Sequence, residues 1–180
     1  IPIGSALALA VFVLGPLLNP FSAIGGLSMG PITLSGSKVT MEKPKLTGFR
    51  KDNRPYEVTA VSAAQDIRRP NVVELNVMNA RVETESGGWV KLESKTGVFD
   101  SQKEQMQLTD QIKVATDAGY EAFLKSADID FKAGTIRSKE PVQVNMGSIK
   151  ITADTLDVSD NGKIIVFNGR VNTVIDNSEQ

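Results

Sequence analysis

From Lys38 to the C-terminus the apolar residues recur at every second position, with no convincing stretch of helical period. "MQLTDQIKVAT" (106–116) places Leu108, Ile112 and Val114 on even numbers, and Gln107, Gln111 and Lys113 on odd ones. "PVQVNM" (141–146) likewise sets Val142, Val144 and Met146 against Gln143 and Asn145. Successive strand residues point to opposite faces, so such runs suit strands with one apolar and one wet face. Further strands are expected at 56–61, 73–77, 149–153 and 163–167, rich in Val, Ile, Thr or aromatic residues. Asp52-Asn53, Arg69-Pro70-Asn71, Gly87-Gly88, Asp117-Ala118-Gly119, Ala133-Gly134 and Asp160-Asn161-Gly162 supply turns between them. Strands and turns at this spacing predict an all-β sandwich or barrel. A bulge near Ala127 would flip the parity that faces inward.

The pattern also repeats. "VTA" (58–60), "LES" (92–94), "LKS" (124–126) and "ITA" (151–153) each set an apolar residue two before a small one, with starts 34, 32 and 27 residues apart. "MNARV" (78–82), "LTDQI" (108–112) and "FNGRV" (167–171) follow them, and "IRSKEPV" (136–142) is a longer version. A lone strand pair is marginal in water, so repeated hairpins must stack to bury a common face.

Several function classes drop out on composition. Twenty basic and 21 acidic side chains leave a net charge of −1, without the basic surface that nucleic acid requires. The chain has no cysteine and no histidine. Disulfides, thiolate metal sites and His-based catalytic triads are thereby excluded, and no cofactor is expected. Asp128 and Asp130 share a strand face as a possible acid pair, the basis of a rival reading as a polysaccharide-cleaving enzyme. Asp154, Asp157 and Asp160 fail the spacing of a calcium loop and suit turn-making better. Arg50, Lys51 and Arg54 suit either lipid phosphates or a solvated turn.

Residues 1–37 carry no charged side chain. Eighteen helical residues (1–18) would span about 27 Å, close to the hydrocarbon core of a bilayer. We expect a transmembrane anchor at 1–19, a Gly/Ser/Pro-rich spacer at 20–39, the β domain at 40–176 and a tail at 177–180. The competing readings of the first segment are a signal peptide and a buried core helix.

"MEKPKLTGFRKDNRPYEVTAVSAAQD" (41–66) has a Pro and a Gly, a polar turn, then Arg-Pro-Tyr leading into a strand that ends Ala-x-x-Ala. This stretch resembles the start of the periplasmic domain of the LptC family, and the order anchor, spacer, repeated β domain matches that family over essentially the whole chain. The resemblance implies an open twisted β-jelly roll of antiparallel hairpins, non-catalytic, whose apolar interior receives lipopolysaccharide acyl chains. On that implication the interior is formed by Val58, Val77, Leu92, Met106, Leu108, Ile112, Val114, Val142, Val144 and Ile151. It also implies partners at two sheet edges, at roughly 40–47 and 171–176. Val39, Met41 and Lys43 would meet an inner-membrane ABC transporter of LptF/LptG type. Val171, Thr173 and Ile175 would meet a periplasmic bridge protein of LptA type. The chain would be anchored once in the inner membrane with its β domain in the periplasm.

The chemistry suits a carrier. Each methylene withdrawn from water is worth about 0.8 kcal/mol, so a 14-carbon chain loses on the order of 10 kcal/mol on re-entering it. The alternative is a structural envelope scaffold with a filled core. A cavity lined by Val58, Val77, Leu108, Val142 and Ile151 would favour the carrier, and tight packing of those side chains the scaffold.

Overall fold

The computed structural model describes residues 27–28, 30–49, 55–83, 87–130, 132–160 and 164–176. Their strands are β1 (Leu27–Ser28), β2 (Ile32–Ser35), β3 (Lys38–Glu42), β4 (Lys45–Phe49), β5 (Pro55–Asp66), β6 (Val72–Glu83), β7 (Trp89–Asp100) and β8 (Gln105–Thr116). β9 (Tyr120–Asp130), β10 (Thr135–Ser138), β11 (Val142–Met146), β12 (Ile149–Ala153), β13 (Thr155–Ser159), β14 (Ile164–Asn168) and β15 (Asn172–Ile175) complete them. All fifteen belong to one antiparallel sheet. The expected all-β class is what the chain adopts.

The pairing reduces to a simple plan. β5 to β9 run unbroken, whereas β1/β2, β3/β4, β10/β11, β12/β13 and β14/β15 are each two halves of one leg with a short break between. Ten legs therefore follow one another as an antiparallel meander, and every leg changes direction near its middle. In one layer β2 pairs β3, β3 pairs the second half of β5, and the order continues through β6, β7, β8 and β9 to β10, β13 and β14. In the other layer β1 pairs β4, β4 pairs the first half of β5, and the order ends β9, β11, β12 and β15. The line of breaks is a crease, and the apolar faces of both layers close over it into one buried cluster.

Local chemistry explains where each leg breaks. Pro31, Pro44 and Pro141 lie on the crease, where the missing N–H is least costly; the carbonyls of Pro31 and Pro44 still accept from the Glu42 and Ala60 amides. Asp110 and Gln111 take left-handed φ values of 62° and 52°, and the β8–β9 register jumps there from Thr109↔Ser126 to Ile112↔Leu124. Inward positions change phase at the crease in β6, which runs Val73, Leu75, then Met78, Ala80, Val82, and in β9, which runs Ala122, Leu124, then Ala127, Ile129. β8, one residue longer there, keeps Met106, Leu108, Ile112 and Val114 on one parity. The flip anticipated near Ala127 is present. Carbonyls freed from the ladder find buried hydroxyls: Ser94 Oγ donates to Thr96 O at 2.9 Å and Thr109 O at 3.3 Å, and Ser138 Oγ to Glu140 O at 3.2 Å.

Val77, the crease residue of β6, has φ 48° and is 42 % exposed. A β-branched residue in the left-handed region stores about 1–3 kcal/mol of strain. Since little apolar burial is lost there, Val77→Gly is expected to raise unfolding free energy by about 1 kcal/mol after glycine's entropic cost. Urea melts of the two proteins measure this.

The repeat now has a structural meaning. Ala60, Ser94, Ser126 and Ala153, the small residues of its four units, precede or sit at the crease, where the layers converge and space is least. The stretch read as a spacer differs from expectation. Residues 32–35 form β2, because the Gly36-Ser37 turn (Gly36 φ 59°) folds this β-prone run against β3. The apolar segment 1–18, Arg50, Lys51, Arg54 and the Asn161-Gly162 turn lie outside the described residues. No helix among the described residues is long and apolar enough to cross a membrane.

Four aspartates close turns or breaks. Asp66 accepts hydrogen bonds from the Arg68 side chain and amide, Asp100 from the Lys103 and Gln102 amides, Asp130 from the Ala133 amide, and Asp154 from Arg170. Each bond favours the ionised form and holds the carboxyl below the ordinary aspartate range. This stabilisation is complete above the unfolded-chain value of about 4 and is withdrawn as pH falls through the lower folded values. Melting temperature is expected to drop between pH 5 and pH 2, and less steeply in Asp66→Asn, by calorimetry across that window.

Candidate functional site

The interior is built by period two from nearly every leg. Of the ten residues expected to line it, Val58, Leu92, Met106, Leu108, Ile112, Val114, Val142 and Val144 are buried in one apolar cluster. Ile151 is partly buried and packs against that cluster. Val77 is a correction: the left-handed turn at the crease swings it outward, next to Val61 on β5, and Met78 takes the inward place.

Sequence reasoning missed most of the second wall. Leu75, Phe99, Ile129, Ile136, Leu156 and Val158 face the same interior from the layer beyond the crease. Their alternation was legible, but its phase changes where β6, β7 and β9 cross the crease. Gly97, which faces inward on β7, was also missed; a glycine inside an alternating run is its signal.

Side chains fill this space. Val58, Leu108 and Val142 are buried, Leu108 with no exposed surface. Among the described residues two grooves lie on outer faces of the sheet, bordered also by Met106 and Ile129 in one and by Leu124, Val142 and Ala153 in the other. One of about 700 Å³ crosses the outer face of β7 to β10 and is lined by Arg69, Asp100, Lys103, Asp128, Asp130 and Arg137 among others. A second, of about 530 Å³, follows the crease beside Phe123, Lys125, Pro141 and Arg170.

The first groove contains the acid pair. Gln107 Nε2 donates to Asp128 Oδ1 at 3.0 Å, and Gln105 Nε2 to Asp130 Oδ2 at 3.0 Å. The Ala133 amide and Gln105 lower the pKa of Asp130. Held ionised in this way, Asp130 is unsuited to the general-acid role that glycoside cleavage asks of one of its two carboxyls. Asp154 and Asp157 are likewise engaged, by Arg170 and by Arg137 with Asn168.

The cluster thins towards both ends of the meander, where apolar side chains emerge. At the C-terminal end Ile165 and Phe167 are half-buried, whereas Val171, Thr173 and Ile175 are exposed, Ile175 by 60 %. Among the described residues β14 pairs only β13 and β15 only β12, so both halves of this leg present an open edge. The N-terminal edge needs a correction. Val39 and Met41 lie in β3, which is paired on both sides by β2 and β5, and Lys43 sits on the crease with φ 46°. Among the described residues the edge leg is β1 with β2, and Leu34 of β2 is 70 % exposed. β2 escaped notice because it is four residues long in a stretch dominated by glycine, serine and proline.

A family model described as LptC, "Lipopolysaccharide-assembly, LptC-related", matches residues 71–176. No curated protein matches. Among solved structures, the chain is similar to LptH from Pseudomonas aeruginosa, described as the LptA homologous periplasmic component of the conserved lipopolysaccharide transport device. The identity is 13 % and the TM-score 0.44, with 84 % of this chain and 94 % of that one covered.

Proposed function

The chain belongs to the LptC-related family of lipopolysaccharide-assembly proteins, with a role in lipopolysaccharide transport, and on that premise we propose that its interior is the lipid's path. The β domain would accept lipopolysaccharide from an inner-membrane ABC transporter of LptF/LptG type and pass it to a bridge protein of LptA type. It would do so without chemistry of its own, tethered to the inner membrane by the apolar segment 1–18.

The supporting observation is the continuous apolar cluster on one face of the meander, ending at two edges that expose apolar side chains. A buried cluster alone is a core. A cluster that reaches unpaired edges continues into any strand added there, and edge pairing supplies the main-chain hydrogen bonds for that addition. Because the interior is filled, acyl chains would enter by parting the layers and replacing side-chain contacts with lipid contacts of the same apolar kind.

That filling also supports the second reading, an envelope scaffold with no lipid path. A photo-crosslinking side chain at Leu108 or at Gln107, in cells making lipopolysaccharide, separates the two. Lipid adducts at Leu108 and not at Gln107 are expected. Adducts at neither, with the protein folded and anchored, would leave the scaffold.

A further inference from the structure

One inward strand position has no side chain. Gly97 lies on the buried face of β7, just past the crease, between Leu75 and Leu108 of the neighbouring strands. Glycine inside a strand weakens it and often marks a place where another group comes close. Here the groups that come close are flexible. A Cβ on Gly97 would stand 3.1 Å from Met78 Sδ, 3.3 Å from Met106 Cε and 3.3 Å from Leu108 Cδ2.

The two methionines reach this point from opposite sides of the crease. Met78 is the first inward residue of β6 after the crease, whereas Met106 lies before the crease in β8. Both are buried. Most of the large side chains around them are branched or aromatic, with few rotamers to spare. An unbranched thioether with three rotatable bonds can leave its place while the backbone stays fixed.

We propose that Met78 and Met106 form a displaceable plug over Gly97, and that the space they vacate seats a saturated acyl chain at the inner angle of the crease. This rests on the lipid-path reading and names where in that path the first methylenes lodge. A thioether tip and an acyl segment are alike in width and polarity, so exchanging one for the other leaves the apolar surface covered. Gly97 supplies the clearance; any side chain there would narrow the seat.

The test replaces methionine throughout the chain with its diazirine analogue, irradiates the purified protein with lipopolysaccharide, and maps adducts by mass spectrometry. Met41 in β3 and Met146 in β11 are half-buried and serve as internal references. Adducts are expected to concentrate at positions 78 and 106. In a folded Gly97→Ala protein they should fall about tenfold there, the equivalent of roughly two lost methylene contacts, with positions 41 and 146 unchanged. Adducts at 41 and 146 without 78 and 106 would overturn the seat and leave the lipid path standing. Undiminished adducts at 78 and 106 in folded Gly97→Ala would overturn the plug. Adducts nowhere would overturn the lipid path itself. If Gly97→Ala does not fold, the unsubstituted protein's map decides.

Discussion

Leu108→Ala is expected to lower the unfolding free energy of the β domain by about 3–5 kcal/mol, and Gln107→Ala by less than about 0.5 kcal/mol. The two residues are adjacent in β8 and have opposite fates. Leu108 has no exposed surface and touches the space above Gly97. Removing its branched end leaves a cavity beside Gly97 that the Met78 and Met106 tips can fill only in part, because the backbone is held in the β7 and β9 ladders. That places the cost in the upper part of the range for Leu→Ala. Gln107 points to solvent and loses only an exposed hydrogen bond to Asp128. Urea denaturation measures both. A shifted midpoint with unchanged slope for Leu108→Ala identifies a core effect, and comparable losses at the two positions would contradict the assigned faces.

That contrast also marks how far sequence reasoning reaches. Period two placed Leu108, Ile112 and Val114 on one face without knowledge of the fold, because Asp110 and Gln111 make β8 one residue longer than its neighbours there and preserve parity across the crease. In β6 the same rule failed at Val77. A single left-handed residue there shifts the phase, and nothing about valine announces such a φ. Phe99 escaped for the same reason, since inward positions in β7 are even up to Ser94 and odd from Gly97. The crease itself left traces that were visible but unexplained. The small residues of the repeat, and Pro44 and Pro141 within the strand-forming region, are all legible in the sequence. Their common cause is a fold line shared by ten legs, which is a property of neighbours in space and not of any one segment. The edges were harder still: β2 has few residues to alternate, and whether a strand is an edge depends on what pairs beside it.

The largest effect expected outside the core concerns the last leg. Gly169→Ala should destabilise β14 and β15 by about 2–4 kcal/mol while leaving β5 to β8 nearly unchanged. Gly169 lies on the crease with φ 88°, a conformation that costs a side-chain-bearing residue roughly 1–2 kcal/mol. A Cβ there would stand 2.5 Å from both Cβ and Oδ2 of Asp154, on the break between β12 and β13. Asp154 would have to move, and with it the acceptor for the Arg170 amide at 3.0 Å and the Arg170 guanidinium at 3.1 Å. Among the described residues the terminal leg has a strand neighbour on one side only, so this clasp is a larger share of what holds it than any single bond in the middle of the meander. Asp154→Asn should cost much less than Gly169→Ala, because it removes an exposed ion pair and leaves the backbone free of collision. Amide hydrogen exchange resolves the two variants leg by leg. Faster exchange confined to 164–175 in Gly169→Ala is the expected result, and a uniform loss across all legs would show that the clasp holds the sheet and not its edge. If the terminal edge is where a bridge protein adds its strand, binding of that partner should weaken in step with exchange at β14 and β15, since an edge must be ordered before it can template another.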